Sequence, residues 1–272
     1  MSVRRVAALE LRRARRSRLM QATFSIYVLG LLVFAVGLAV VGEELTAAGA
    51  LTHVISVIEW LVPAMGLVVG YGAVVTERAD RTLHHLVTTP YARSEIVVGK
   101  FAARALIVLG AILTGAVVVG IAIWGLFPGF GQLAGPYIGF LLLTSLFGVA
   151  MVATGVGISA ASRRPVRAAT GAMGAFILFV FLWDLLPAGA YYLRHGAFPG
   201  SGVPPDWYYF LVRMNPIEAY VEALTGVFGF LGTDLFHGVS LYLTPLAMLV
   251  ILLGWSIIPL AVGYVVFRRA EL

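Results

Sequence analysis

Two carboxylates fall inside long apolar runs of this sequence, where they could act on an ion or molecule that crosses a membrane. Glu59 and Asp184 lie near the outer ends of the second and fifth apolar runs. Charge within a hydrocarbon layer is costly and is often kept for function, so both residues are candidates for a substrate path. The alternative is that each carboxylate sits at the level of the lipid headgroups or in a water-filled vestibule. A proton-coupled carrier usually needs deeper charges with partners, which the sequence does not show.

Hydrolytic and metal chemistry have less support. The adjacent residues His84 and His85 would point about 100° apart on a helix, so they would not chelate one ion together. Ser145 and Ser159 lie in the fourth apolar run, but no histidine falls in the interior of any run to act as their base. We therefore predict no metal site and no catalytic residue in this chain.

Nucleotide binding through a phosphate loop of its own is excluded by the sequence. The single Gly–Lys pair, Gly99–Lys100, is followed by Phe101, whereas a phosphate loop requires Ser or Thr there and an earlier glycine. The chain has no cysteine, which excludes disulfides, thiolate metal ligands and a cysteine nucleophile. We expect no cofactor to be bound by this chain.

The composition is that of an integral membrane protein. Hydrophobic residues make up 60% of the 272 residues and charged residues only 12%, about half the charge of a soluble domain. Six apolar runs each reach the roughly 20 residues needed to cross a bilayer. They cover residues 22–42, 54–75, 101–124, 137–161, 168–186 and 241–267. Lipid offers no partner to the backbone, so each run should be a continuous helix. The expected fold is an all-α membrane protein with one transmembrane domain, residues 1–272.

The positive charges flank these runs and indicate their orientation. Residues 1–20 contain seven arginines against the single acid Glu10, a pattern compatible with a short helix on the membrane surface. With the N-terminus inside, all but two of the 19 Lys and Arg residues lie on the cytoplasmic side; the exceptions are Arg194 and Arg213. The positive-inside rule therefore predicts a multi-pass protein with both termini in the cytoplasm. This placement accounts for the formal charge of +6 without nucleic-acid binding.

The segment Glu77–Lys100 is the longest strongly polar interruption between two apolar runs. Leu83, Leu86 and Val87 share one face of a short predicted helix, which Pro90 would end. Such a helix on the cytoplasmic face could dock in a groove of a partner and move both attached spans. A plain interfacial loop is the alternative interpretation.

Residues 187–240 form a long outer segment that is rich in aromatic residues. Within it, Asn215 suits a helix N-cap, Pro216 the first helical position, and Glu218 the third, from which its carboxylate could reach back to the cap. The apolar run 217–231 is too short and too rich in glycine to span a bilayer. We predict short helices that dip into the outer leaflet from outside, before the sixth span.

Small residues at a spacing of four predict close helix contacts. Gly66 and Gly70 have this spacing in the second run, and Gly171 and Ala175 have it in the fifth. The contacts could lie within one subunit or between subunits.

The order of residues in 77–100 resembles the motif of type-2 ABC transporter (ABC-2) permeases, E-x-x-x-G-T-L-x-x-L-x-x-x-P-x-(S/T)-R-x-E-I-x-x-G-K. The matching residues are Glu77, Thr82–Leu83, Leu86, Thr89–Pro90, Arg93, Glu95–Ile96 and Gly99–Lys100. Arg81 stands where the family usually has glycine, and Ser94 follows Arg93 instead of preceding it. The six spans and the basic N-terminal segment are also similar to the family. Asn215–Pro216 with Tyr220 is similar to the permease of the nitrous-oxide-reductase maturation system within it.

The resemblance implies the transmembrane subunit of an ATP-driven exporter in the cell membrane. Residues 1–20 would be an elbow helix, and 78–90 a coupling helix that docks on a separate ATPase. The residues implied in coupling are Glu77, Arg78, Thr82, Leu83, Leu86, Val87, Pro90 and Arg93. Two ATPase subunits, which would hold ATP and Mg²⁺, and a second permease chain, identical or different, would complete the transporter. An ion-coupled secondary transporter that works without an ATPase is the alternative.

Overall fold

The computed structural model describes residues 3–41, 45–79, 93–199, 203–228 and 244–269, and these residues form helices joined by short connections without any strand. Within these described residues, six helical stretches are long and apolar enough to cross a membrane, which confirms the predicted number of spans. They cover Arg18–Val41, Ala47–Arg78, Ser94–Leu126, Gly135–Ala161, Pro165–Leu182 and Pro245–Arg269.

We number the helices in chain order. They are α1 (Val3–Arg16), α2 (Arg18–Val41), α3 (Ala47–Tyr71), α4 (Val75–Ala79), α5 (Arg93–Leu126), α6 (Ala134–Ala161), α7 (Pro165–Ile177), α8 (Leu185–His195), α9 (Asp206–Arg213), α10 (Pro216–Phe228) and α11 (Pro245–Arg269). A 3₁₀ turn, Phe130–Leu133, precedes α6, and a π-helical segment, Leu178–Leu182, follows α7.

Helix α6 is the centre of the bundle and packs against α3, α5 and α11. Glycines permit these close contacts: a Cβ atom on Gly70 would lie 2.8 Å from the Cα of Gly155, and one on Gly66 would lie 2.5 Å from the Cβ of Met151. A Cβ atom on Gly171 would likewise lie 2.9 Å from Ile158 of α6. The predicted small-residue contacts are therefore present, and these three are made within the subunit.

The second span begins seven residues earlier than the hydropathy pattern predicts. Thr46 caps α3 by accepting a hydrogen bond from the Gly49 N–H (3.3 Å), and the Ala47 N–H donates to the Pro128 carbonyl (2.9 Å). The cap and this bond satisfy backbone donors, so the helix starts well before the strongly apolar run. As a result Glu59 lies at the middle of the 25-residue α3, further from the start of the helix than the hydropathy pattern predicts.

The fifth span is helical from Pro165 to Leu182, so the helix ends before the predicted boundary at Leu186, and its last part is π-helical. Helix α7 changes into the π-helical segment at Leu178, and Asp184 lies in the turn between that segment and α8. The Phe179 carbonyl accepts a hydrogen bond from the Asn215 side-chain amide (2.7 Å), so a tertiary contact supplies a partner within the irregular segment.

Candidate functional site

Helix α1 packs against α5. The buried carboxylate of Glu10 in α1 lies beside two cationic side chains of α5. Lys100 Nζ lies 3.0 Å from Glu10 Oε1, and Arg104 Nη2 lies 3.2 Å from Glu10 Oε2. The side chains of Glu10 and Lys100 are only 6% and 3% exposed. A buried carboxylate is tolerated when it is paired and hydrogen-bonded, so these contacts fix α1 against α5.

Glu77 completes what we call the α1 ion cluster: Glu10, Arg13, Glu77, Lys100 and Arg104. Lys100 Nζ lies 2.9 Å from Glu77 Oε1, and Arg13 Nη1 lies 2.8 Å from the same oxygen. Lys100 therefore sits between two carboxylates of different helices. The two charged residues that open and close the recognised motif form an ion pair although 23 positions separate them.

Helix α4, which carries Glu77, is anchored to two further helices. The Ser159 hydroxyl of α6 accepts hydrogen bonds from the backbone N–H groups of Val74 (3.0 Å) and Val75 (3.1 Å), which caps α4. Arg78 donates to the Ser162 carbonyl (3.2 Å), and its guanidinium lies 5.5 Å from the ring centre of Phe267 in α11. Residues 74–78 therefore contact α1, α5, α6 and α11.

The predicted coupling residues divide into two groups. The first group lies outside the described residues and consists of Thr82, Leu83, Leu86, Val87 and Pro90, together with Arg81. Arg93 is the first residue of α5. Glu77 and Arg78 make the intramolecular contacts above, while their contact with another subunit stays a prediction. Sequence reasoning missed Glu10, Arg13 and Arg104; the single acid among seven arginines was the available signal for Glu10.

A second group of charges, the acidic cluster, consists of Glu59, Asp184, Arg213, Glu218 and Glu222. Arg213 donates through Nε (3.0 Å) and Nη2 (2.8 Å) to Glu222 Oε1. Burial raises the pKa of Glu218, the carboxylates of Asp184 and Glu222 raise it further, and Arg213 opposes them. Glu218 also acts electrostatically on Glu59. The structure thus brings together three acids that the sequence singled out separately, and it adds Glu222 and Arg213, which sequence reasoning missed. The i, i+4 spacing of Glu218 and Glu222 was the available signal.

The acidic cluster is not arranged as a metal site. Among the described residues, no three His, Cys, Asp or Glu side chains are placed so that they could hold one metal ion.

Asn215 joins α10 to the fifth span. Its Oδ1 accepts from the Ile217 N–H (2.9 Å), as expected of an N-cap, and its Nδ2 donates to the Phe179 carbonyl. The predicted bond from Glu218 back to the cap is wrong, because the Asn215 N–H donates instead to the Val212 carbonyl (3.1 Å).

Tyr220 fixes the same helix to α6. Its ring stacks on Phe147 with centroids 4.7 Å apart, and its hydroxyl lies 2.8 Å from that of Thr144. The Thr144 proton goes to the Phe140 carbonyl (2.7 Å), so Tyr220 is the donor. Two indole N–H groups hold the chain just before α10: Trp183 donates to the Leu211 carbonyl, and Trp255 of α11 donates to the Met214 carbonyl.

The fold and the motif residues define a helical membrane protein of the transporter class, and the chain belongs to the ABC-2 family transporter proteins, whose family model matches residues 4–272. It is 30% identical over 251 residues to the "Probable ABC transporter permease protein NosY" of Stutzerimonas stutzeri, covering 87% of this chain and 88% of that protein. The protein of the same name from Pseudomonas aeruginosa is 29% identical over 226 residues, covering 79% of this chain and 78% of that protein. The resemblance to ABC-2 permeases is thereby confirmed, and the chain is the transmembrane component of an ABC transporter.

Proposed function

We propose that this chain forms the translocation path of an ATP-driven exporter and is moved through residues 78–90 by a separate ATPase subunit. In this proposal both termini and the α1 ion cluster lie in the cytoplasm, as the distribution of arginines predicts. α1 is the elbow helix, and α8–α10 form the outer segment, with α10 dipping into the outer leaflet.

The observation that carries the proposal is the ion pair between Glu77 and Lys100. These residues flank segment 80–92, and the pair (2.9 Å) joins the end of the second span to the start of the third. A force applied to the segment between them would therefore act on α3 and α5 together. Because Glu10 binds the same lysine, α1 would move with them.

The contacts of α4 extend this connection to the rest of the bundle. Ser159 and Ser162 belong to the end of α6, which also packs on α11. Rigid elements with paired charges transmit displacement because packed interfaces have discrete arrangements and do not deform continuously. We propose that two such chains and two ATPase subunits form the transporter, with ATP and Mg²⁺ held by the ATPases.

The acidic cluster is the part of the chain that we assign to the substrate path. Glu59 lies at mid-helix in α3, and Glu218 and Asp184 act from α10 and from the end of the fifth span. Charge on a membrane-spanning helix is costly unless it faces protein or a water-filled cavity. The same cluster is the feature that would favour an ion-coupled carrier, the alternative function.

A co-purification experiment tests the proposal. The chain is expressed with its candidate ATPase, and the variant Leu83→Asp plus Leu86→Asp is compared with the unmodified chain. We expect the variant to lose association with the ATPase, because two charges would occupy the apolar docking face. Val166→Asp is the control, since Val166 is 73% exposed in the first turn of α7, where an acidic side chain is favourable.

Two results would contradict the proposal. One is unchanged association and unchanged ATPase activity of the complex in the Leu83→Asp plus Leu86→Asp variant. The other is substrate movement driven by an ion gradient in liposomes that contain this chain alone, which would support the carrier function.

A further inference from the structure

A groove of about 470 Å³ lies between α1, α2 and α5. Leu11 and Ala14 of α1 form one wall, Met20, Phe24 and Ser25 of α2 form the second, and Ile107 of α5 lies on the third side. The lining is mostly apolar, and Ser25 is exposed, so the groove opens to the surroundings of the helix bundle. None of these lining residues belongs to the acidic cluster.

The depth of the groove matches the acyl region of one leaflet. Helix α2 begins at Arg18, and Ser25 lies seven residues further on, a rise of about 10 Å. With the start of α2 placed at the membrane surface, the groove lies within the nearer half of a hydrocarbon core about 30 Å thick. In the proposed orientation this is the inner leaflet.

An exposed arginine, Arg18, lies next to the groove on the side where α2 begins. Arg18 is three positions before Gln21, another lining residue, and therefore lies on the same face of α2, one turn closer to the start of the helix. Arg18 is exposed, as are Arg12 and Arg16 of α1. The nearby acid Glu10 does not offset these charges, since Lys100 and Arg104 already neutralise it.

We propose that this groove is a binding site for one anionic phospholipid, with an acyl chain against Phe24 and Ile107 and its phosphate beside Arg18. The apolar walls of the groove suit a chain of methylene groups, and the positive charge of the arginines suits a headgroup with net negative charge. A zwitterionic phospholipid would fill the same groove, but its headgroup has no net charge, so it would bind more weakly beside the arginines. Selectivity for headgroup charge is therefore the property that distinguishes this site from ordinary contact with bulk lipid.

Photo-crosslinking in nanodiscs tests the proposal. The full-length chain is placed in phosphatidylcholine nanodiscs that contain a trace of phosphatidylglycerol with a photoactivatable acyl chain, and labelled peptides are mapped by mass spectrometry. We expect labelling of residues 20–25 and of the region of Ile107, and weaker labelling when the probe is phosphatidylcholine. Arg18→Gln should reduce the phosphatidylglycerol labelling about fivefold, the loss expected for one arginine near a membrane surface.

Two variants on α2 separate groove binding from general lipid contact. Ser25→Trp fills the groove from its open side and should abolish labelling there with either probe. Ile26→Trp is its control, because Ile26 is 65% exposed on the same helix turn and does not line the groove. Arg167→Gln is the control for Arg18→Gln, since Arg167 is an exposed arginine in the first turn of α7.

Equal labelling by the two probes would overturn the proposal and leave only unselective lipid contact. Equal loss in Ser25→Trp and Ile26→Trp, or in Arg18→Gln and Arg167→Gln, would overturn it as well. Each variant is compared at equal amounts of monodisperse protein. The readout does not require an ATPase, so its failure is distinguishable from failure of the proposed function.

Discussion

Replacing Lys100 with methionine is the sharpest test of the α1 ion cluster. The substitution keeps the length and apolar stem of the side chain and removes the cation between Glu10 and Glu77. Glu10 would retain Arg104 at 3.2 Å, and of the two ion pairs described above for Glu77 the one that remains is with Arg13, whose side chain is 70% exposed. One buried carboxylate would thus lose its buried partner.

The expected loss of stability is about 3–5 kcal/mol, the usual cost of removing one partner from a buried ion pair. Arg13→Gln is the matched control within the same cluster. Because Arg13 is mostly exposed, solvent screens its ion pair with Glu77. Arg13→Gln should therefore lower the free energy of unfolding by less than about 1 kcal/mol.

The assay is the apparent midpoint of thermal unfolding of the purified chain in one detergent. We expect Lys100→Met to lower the midpoint by roughly 10 °C and Arg13→Gln by a few degrees at most. The double variant Lys100→Met plus Glu77→Gln should recover part of the loss, because it removes one of the two carboxylates that face the lysine as well as the cation. Equal midpoints for Lys100→Met and Arg13→Gln would refute the structural role assigned to the buried lysine.

Three further predictions concern other parts of the bundle. Gly70→Val should lower the unfolding midpoint by several degrees, because its side chain meets the Gly155 backbone; an unchanged midpoint would contradict the close contact of α3 and α6. Asn215→Ala should lower the free energy of unfolding by about 2–4 kcal/mol, because it removes the cap and the donor to the Phe179 carbonyl. Asn215→Asp keeps the cap and should lower it by less. Glu218 has a raised pKa, so the folded protein holds its proton at pH values where the unfolded chain has lost it. Stability of the unmodified chain relative to Glu218→Gln should therefore fall as pH rises above the unfolded value of about 4.3, and parallel pH profiles of the two proteins would contradict this.

Local patterns in the sequence determined much of the architecture. Six long apolar runs became six membrane-length helices, because a chain in lipid must satisfy its own backbone. Asn215 followed by Pro216 marked the start of α10 correctly, since a helix cap depends on neighbouring residues only. Gly66 and Gly70 were correctly identified as packing positions, although the partner helix was not.

Contacts between distant residues could be decided only by the tertiary structure. Glu10, Glu77 and Lys100 come from three helices, and no spacing rule pairs them, because their meeting depends on how α1 and α4 pack on α5. The position of Glu59 at mid-helix also follows from a contact, the bond from the Ala47 N–H to the Pro128 carbonyl, which hydropathy cannot report.

The segment Glu77–Lys100 shows most directly what residue order determines and what tertiary packing determines. The sequence alone determined the family and the polar segment between the second and third spans, because both depend on residue order. The tertiary structure decided that the motif's first and last charges, Glu77 and Lys100, form a buried pair with α1. An ion pair forms where packing brings two charges together and removes the water between them, and residue order does not specify that packing.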